Sequence, residues 1–210
     1  MATGTNGGRM AGNDVESEVK LELLSDDPLA ALTGALGKPI QKLEQLNRYF
    51  LPASPAGWVV RLREVDGALV LTVKGSESPG GLDDGSGVAG IFVRAEREAR
   101  VASDFLLALL PDQDQAPLFE LPPMHGLTGP LRPAGSCRNT RWMFPHAGLT
   151  LELDRTEYAD GSTAWELEVE SDRPKDALAA AVALLNKLAI PFRPSTRGKF
   201  ARVREKLGKG

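Results

Sequence analysis

The chain contains one cysteine, Cys137, and two histidines, His125 and His146, among its 210 residues. A single cysteine excludes an intrachain disulfide framework and fits a reducing compartment. Neither histidine has a cysteine or a second histidine at ligand spacing, so zinc chemistry and a histidine triad have little support. No apolar run reaches the length of a membrane span, and the first residues hold no apolar signal core. The expectation is a soluble cytoplasmic chain with no membrane partner. An excess of one charge is also missing: 25 Lys and Arg against 28 Asp and Glu leave a net charge of -3. That balance argues against a broad nucleic-acid-binding surface, and the basic tail (Arg193, Arg197, Arg202, Arg204, Lys206) reads as a solvated helix. No GxxxxGK[ST] loop is present, so any nucleotide would be held by side chains.

What the chain does have is alternation. In VESEVKLELL, Val15, Ser17, Val19, Leu21 and Leu23 alternate with Glu16, Glu18, Lys20 and Glu22. A strand has period two, so one face is apolar and the other charged. The pattern returns in WVVRLRE, ALVLTVKG, GIFVRAEREARV, LTLELDRTEY and STAWELEVES. Asp66-Gly67 and Asp160-Gly161 are hairpin turn signals between such runs.

Between the strands, Met1 to Asn13 is small, polar and expected to be disordered; residues 14–205 then form a single domain. SDDPLAALTGALG predicts a short helix capped by Ser25 or Asp26 and ended by Gly37. PIQKLEQLNRYFL is ambiguous between helix and strand, with a strand-like end. Glu77 to Gly87 reads as a flexible loop, SDFLLALLP as a short helix, and residues 111–133 as a Pro-rich connection without an assignable role. LRPAGSCRNTRWMF is strand-like, with Cys137 and Arg138 on opposite faces. RPKDALAAAVALLNKLA is the strongest helix, and the tail closes with a short basic one.

About eight strands, each with one apolar and one charged face, fit either an open sheet with charges outside or a closed barrel with charges inside. Solvated faces usually mix in Ser, Thr, Gln and Asn, and these strands hold few. The charged faces offer Glu16, Glu18, Glu96, Glu98, Glu152, Asp154, Glu166, Glu168 and Glu170. Against them stand Lys20, Arg61, Arg63, Lys74, Arg94 and Arg138, with Lys199 from the tail. A lumen of both signs suits a linear polyphosphate: guanidinium and ammonium groups hold phosphate oxygens, and carboxylates hold a divalent cation.

These residues also carry a family resemblance. VESEVK is similar to the ExExK signature of the CYTH superfamily, the triphosphate tunnel metalloenzymes. The likeness continues in order through RLR (Arg61–Arg63), LTVKG, RAERE (Arg94–Glu98), CRNTRW, LELDRTEY, WELEVE and GKFA at Lys199. The closing stretch resembles plant-type inorganic triphosphatases. One departure lies before the arginine strand, where NRYF runs into Leu51 and Pro52 instead of the Asp-Thr often seen after an aromatic pair. That leaves the first barrel loop and its substrate contacts open.

The resemblance implies an eight-stranded antiparallel closed β-barrel with flanking helices, a tunnel that binds a small-molecule triphosphate, and Mg²⁺ or Mn²⁺ as cofactor. It implies metal ligands at Glu16, Glu18, Glu166 and Glu168, with Glu96, Glu98, Glu152 and Asp154 as further candidates. It implies phosphate contacts from Arg61, Arg63, Lys74, Arg94, Arg138 and Lys199, with Lys20 and Lys74 acting at the reacting phosphoryl group. The resulting expectation is a metal-dependent triphosphatase with inorganic tripolyphosphate as its substrate. Thiamine triphosphatase, adenylyl cyclase of the CYTH type and a non-catalytic polyphosphate-binding module are the alternatives.

Overall fold

Strands whose two faces differ so sharply must keep the apolar face dry, and the computed structural model does so outside a barrel instead of within it. The structure describes residues 14–75, 78–79, 89–109 and 116–207. The expected N-terminal tail 1–13, most of the expected loop from Glu77 to Gly87 and part of the Pro-rich connection lie outside the described residues.

The elements run β1 (Asp14–Leu23), α1 (Pro28–Leu36), β2 (Gln41–Leu51), β3 (Val59–Val65), β4 (Ala68–Lys74), β5 (Ser78–Pro79) and β6 (Ile91–Val101). There follow α2 (Phe105–Ala108), two short 3-10 turns (Ala116–Glu120 and Pro122–Met124), β7 (Arg132–His146), β8 (Leu149–Tyr158), β9 (Thr163–Glu170), α3 (Pro174–Lys187), β10 (Phe192–Pro194) and α4 (Lys199–Leu207). Strand pairing runs β1-β9-β8-β7-β2-β3-β4-β6 and returns to β1, every pair antiparallel. This is the closed eight-stranded antiparallel barrel. Closure removes the exposed strand edges that an open sheet would leave.

The ambiguous segment before Leu51 is strand β2. Its buried alternate residues are Gln45, Asn47 and Tyr49, so the face turned inward is largely polar and leaves no apolar period to read. The cap of α1 also differs by one residue. Asp27, not Ser25 or Asp26, accepts from the Ala30 amide at 3.0 Å, because Pro28 occupies the first helical position and fixes the residue before it as the cap.

β1 changes partner along its length. Asp14 to Val19 pair with β6, and Leu21 to Leu23 pair with β10. At the changeover the Lys20 amide donates to Gly90 O at 2.8 Å, and Ser195 N donates to Lys20 O at 3.0 Å. Gly90 has φ +91°, and a Cβ there would stand 3.2 Å from Lys20 O. Glycine is therefore what lets the β6 hairpin close over this point.

Two apolar layers lie on the outside of the barrel. Val19, Leu21, Leu151, Leu153, Leu167 and Val169 pack under Ala177, Ala181, Leu184 and Leu185 of α3. On the opposite wall, Val60, Leu62, Leu71 and Val73 are covered by Phe105, Leu109, Leu118, Met124, Leu127 and Leu131. The described part of the Pro-rich connection thus has a structural role: with Phe105 and Leu109 it covers β3 and β4. Truncating fully buried Leu153 to Ala is expected to cost about 2–5 kcal/mol. The exposed Leu107→Ala should stay within about 0.5 kcal/mol. Urea unfolding of both variants checks the contrast, and equal losses would refute this account of the core.

Candidate active site in the tunnel

Because apolar side chains take the outside, every second residue of each strand is turned into the lumen. Cross-strand registers then fix which charges meet. Lys20 lies opposite Glu168, Asp154 opposite Glu166, Arg141 opposite Asp154, Asn47 opposite Arg63, Arg61 opposite Thr72 and Lys74 opposite Glu96. Each is an adjacent lumenal pair on neighbouring strands, so its side chains start within reach of each other, and the like-charged Asp154 and Glu166 draw their cations from elsewhere in the lumen.

One group gathers around β1, β4 and β6. Arg94 reaches Glu18 at 2.6 Å and Glu16 at 3.5 Å. Lys74 Nζ is 2.6 Å from Glu96 and 3.8 Å from Glu16. Arg61 donates to Thr72 Oγ1 at 3.0 Å and stands 3.7 Å from Glu96 and 3.8 Å from Glu98. Arg63 donates to Asn47 at 2.9 Å. Glu98 is at the rim, its side chain about half exposed.

A second group gathers around β7, β8, β9 and α4. Arg141 forks onto Asp154 with bonds of 2.7 and 2.6 Å, reaches Glu168 at 2.5 Å and also touches Glu152. Lys199 Nζ stands 2.6 Å from Asp154, 2.5 Å from Glu168 and 3.3 Å from Glu166. Arg202 contacts Glu166, and Ser195 Oγ donates to it at 3.1 Å. Lys20 joins the two groups, with Nζ 3.1 Å from both Glu18 and Glu168.

The protonation balance of the two groups differs. Burial opposes charge on Lys199 and Glu168, yet their mutual attraction and that of Asp154, Lys20 and Arg141 outweighs it. Lys199 is held well above its ordinary pKa and Glu168 well below. Burial likewise opposes the charge on Lys20, but Glu168 and Glu18 raise its pKa. In the first group, the cations around Glu18 and Glu96 hold those carboxylates below their ordinary pKa against their burial, whereas at Lys74 and Glu16 burial wins. It pushes Lys74 down to about 8, helped by Arg61 and Arg94. It pushes Glu16 up to about 9, helped by a hydrogen bond to Glu96. Glu152 is pushed up to about 7, again chiefly by burial. These are groups held in a state they would not choose alone.

Of the expected site residues, Glu16, Glu18, Lys20, Arg61, Arg63, Lys74, Arg94, Glu96, Glu152, Asp154, Glu166, Glu168 and Lys199 share the lumen, with Glu98 at its rim. Arg138 does not join them. It is exposed on the outer face of β7, while Cys137, Asn139 and Arg141 are buried on the inner one. The arginine of this strand that the barrel turns into the lumen is Arg141. Counting back from the two-residue turn Ala147-Gly148 pairs Arg141 with Asp154, a signal the sequence contains. Arg202 was also missed, since only the docking of α4 brings it inward. Glu170 is exposed. Tyr158 and Cys137 pack with Tyr49, Val203 and Phe200 into an apolar plug within the barrel.

Oxygen donors of this kind suit Mg²⁺ or Mn²⁺. Among the described residues no set of three or more His, Cys, Asp or Glu side chains is already arranged to hold a metal ion; the carboxylates are clasped by cations instead. Oxygens of Glu16, Glu18, Glu96 and Glu152 are nevertheless buried without a hydrogen bond, although cations stand near them. Glu16 shares a hydrogen bond with Glu96. The donor set therefore fits a hard divalent cation, which would satisfy those oxygens and take the place of a shared proton.

Comparison with known proteins bears on the whole chain. Among solved structures, a Hippeastrum protein described as an adenylyl cyclase candidate with dominant triphosphatase activity is similar at TM-score 0.76 and 24% identity, covering 91% of this chain and 96% of that one. A candidate adenylate cyclase from Bacillus halodurans is similar at 0.60 and 19%, covering 90% and 97%. A conserved hypothetical protein from Pyrococcus furiosus is similar at 0.57 and 21%, covering 88% and 98%. These likenesses establish the fold. No curated protein sequence matches. The CYTH domain model matches residues 14–202, nearly the entire described barrel with α4, and the chain is a member of the CYTH family.

Proposed function

We propose that the protein is a metal-dependent triphosphatase whose substrate is linear inorganic tripolyphosphate. The observation that carries this reading is the cation set Arg61, Lys74 and Arg94, buried on three neighbouring strands of a closed barrel. Desolvating several like charges together works against stability, and an apolar filling would serve the fold better. A polyanion held among them compensates that cost. The dominant triphosphatase activity described for the Hippeastrum protein supports the same reading.

Within it, Arg61, Arg63, Lys74 and Arg94 bind phosphate oxygens from the β3, β4 and β6 side, and Lys199 and Arg141 do so from the β7, β8 and α4 side. Glu16 and Glu18 would hold the divalent cation, with Glu96 and Glu152 as the neighbours whose oxygens are also unbonded. Glu166, Glu168 and Asp154 face it across the lumen and keep Lys199, Lys20 and Arg141 in position. When bound, a divalent cation neutralises phosphate charge and activates water as a nucleophile. Lys20, between Glu18 and Glu168, is placed to stabilise charge on the phosphoryl group as it transfers in line. The barrel walls exclude bulk water from these contacts, which strengthens each of them.

Tripolyphosphate hydrolysis should stop in excess EDTA and return with Mg²⁺ or Mn²⁺; full activity without free metal would sink the proposal. Glu18→Gln should lose more activity at low metal than at high metal, because a lost ligand weakens metal affinity.

Arg61→Ala and Lys74→Ala should each lower kcat/KM at least about tenfold, roughly 1.4 kcal/mol in transition-state stabilisation. The melting temperature of Lys74→Ala should change little, since Arg61 and Arg94 still neutralise Glu96. Lys199→Ala removes the cation shared by Asp154, Glu166 and Glu168 and should cost about 3 kcal/mol of stability as well as activity. Arg138→Ala, exposed outside, should stay within about twofold of the parent. Wild-type rates in Lys74→Ala would show that these cations serve only the fold.

Tripolyphosphate should be used with a higher kcat/KM than ATP, and ATP should give ADP. Cyclic AMP as the main product from ATP would replace the hydrolase reading with a cyclase.

A further inference from the structure

A cavity of about 490 Å³ opens where α4 meets the β2–β3 loop, at the end of the barrel where β4 finishes. Lys74 and Phe92 belong to both spaces: Lys74 reaches inward to Glu96 at 2.6 Å, and Phe92 lies 5.7 Å beneath the Lys20 ammonium. The cavity is therefore a continuation of the charged lumen. Its size is that of a small-molecule site.

The charge of its lining differs from that of the tunnel. In the tunnel acids and bases alternate. Here the charged residues among the described lining are Lys74, Arg132, Arg197 and Arg204, and no carboxylate joins them. They come from three separate elements: the end of β4, the start of β7, and α4 with the turn before it. Arg197 is paired with Glu205 at 2.8 Å, but Glu205 does not line the cavity. The remaining wall is apolar, with Trp58 and Phe200 among its residues. Such a wall offers an anion no repulsion, and the arginines offer it forked donors. A cation would meet four like charges there, with the Trp58 and Phe200 rings as its attractive contacts.

We infer that this cavity is a specificity subsite for the part of the substrate beyond the third phosphate. It accepts the further phosphates of a linear polyphosphate chain and turns away triphosphate esters whose organic part is a cation. The inference rests on the triphosphatase reading and narrows it, because it selects an anionic extension over the thiamine group, which is positively charged.

The test compares linear tetraphosphate, tripolyphosphate and thiamine triphosphate, at fixed free Mg²⁺, on the parent, Arg132→Glu, Arg204→Glu and the double variant. In the parent, kcat/KM for tetraphosphate should equal or exceed that for tripolyphosphate, and thiamine triphosphate should trail by at least about tenfold. In the double variant the tetraphosphate-to-tripolyphosphate ratio should fall at least about fivefold, and the thiamine-triphosphate ratio should rise by a similar factor. Both changes should shrink as added salt screens the rim. A second readout is free of turnover: tetraphosphate should raise the melting temperature of the parent more than tripolyphosphate does, and the double variant should lose that difference. A parent inert toward all three compounds would refute the triphosphatase reading. A parent that hydrolyses tripolyphosphate, with ratios and thermal shifts unmoved by the arginine reversals, would refute the subsite alone.

Discussion

The compensation of buried charge is the constraint on which the rest of this structure depends. An ion removed from water must be paired or must shift its protonation state, and this barrel removes a dozen or so at once. Antiparallel register supplies much of the pairing cheaply, because Lys20 faces Glu168, Lys74 faces Glu96 and Arg141 faces Asp154 on the next strand. With the lumen committed to charge, hydrophobic burial has to occur elsewhere. It occurs outside, where α3 covers one wall and Phe105, Leu109, Leu118, Met124, Leu127 and Leu131 cover the other. What looks like ornament around a barrel is its core.

Compensation is uneven, and the unevenness separates holding from binding. On the α4 side, Asp154, Glu166 and Glu168 are matched by Lys199, Arg141 and Arg202, and Asp154, Glu168 and Lys199 keep their charges strongly. On the β4 and β6 side, Lys74 and Glu16 are pushed toward neutrality by burial. A polyanion with a divalent cation would satisfy this second side, bringing negative charge to Lys74 and positive charge to Glu16. In the proposed function the fully matched side would serve as the rigid frame, and Lys74 and Glu16 as the points where ligand charge is taken up.

Much of this was legible in the sequence because strand alternation is a local property. Glu16 to Lys20, Arg61 with Arg63, and Glu166 with Glu168 keep their shared faces wherever the strands go. Arg138 shows where that legibility ends. CRNTRW holds two arginines of opposite parity, and only the turn at Ala147-Gly148 decides which one meets Asp154. β2 was obscure for a related reason: its inner face carries Gln45 and Asn47, whose partner is the amide of Asn139 or the guanidinium of Arg63, so no apolar period marked it. Arg202 lay beyond local reasoning altogether, since its partner Glu166 is supplied by helix docking.

That docking ties the site to the fold. α4 brings Lys199 and Arg202 to the carboxylates on one face, while its Phe200 and Val203 pack on Tyr49, Cys137 and Tyr158. Helix spacing makes the two functions inseparable, since residues three or four apart share a side. The seat for the helix is Gly135 on β7, at φ +114°, where a Cβ would stand 2.6 Å from both Val203 Cγ1 and Leu207 Cδ1. A side chain there would be strained at this φ and would force the Val203 and Leu207 side chains on the seated face of α4 to give way. The apolar plug and the innermost cation are thus one mechanical unit, and the barrel keeps its charge balance only while that helix is seated.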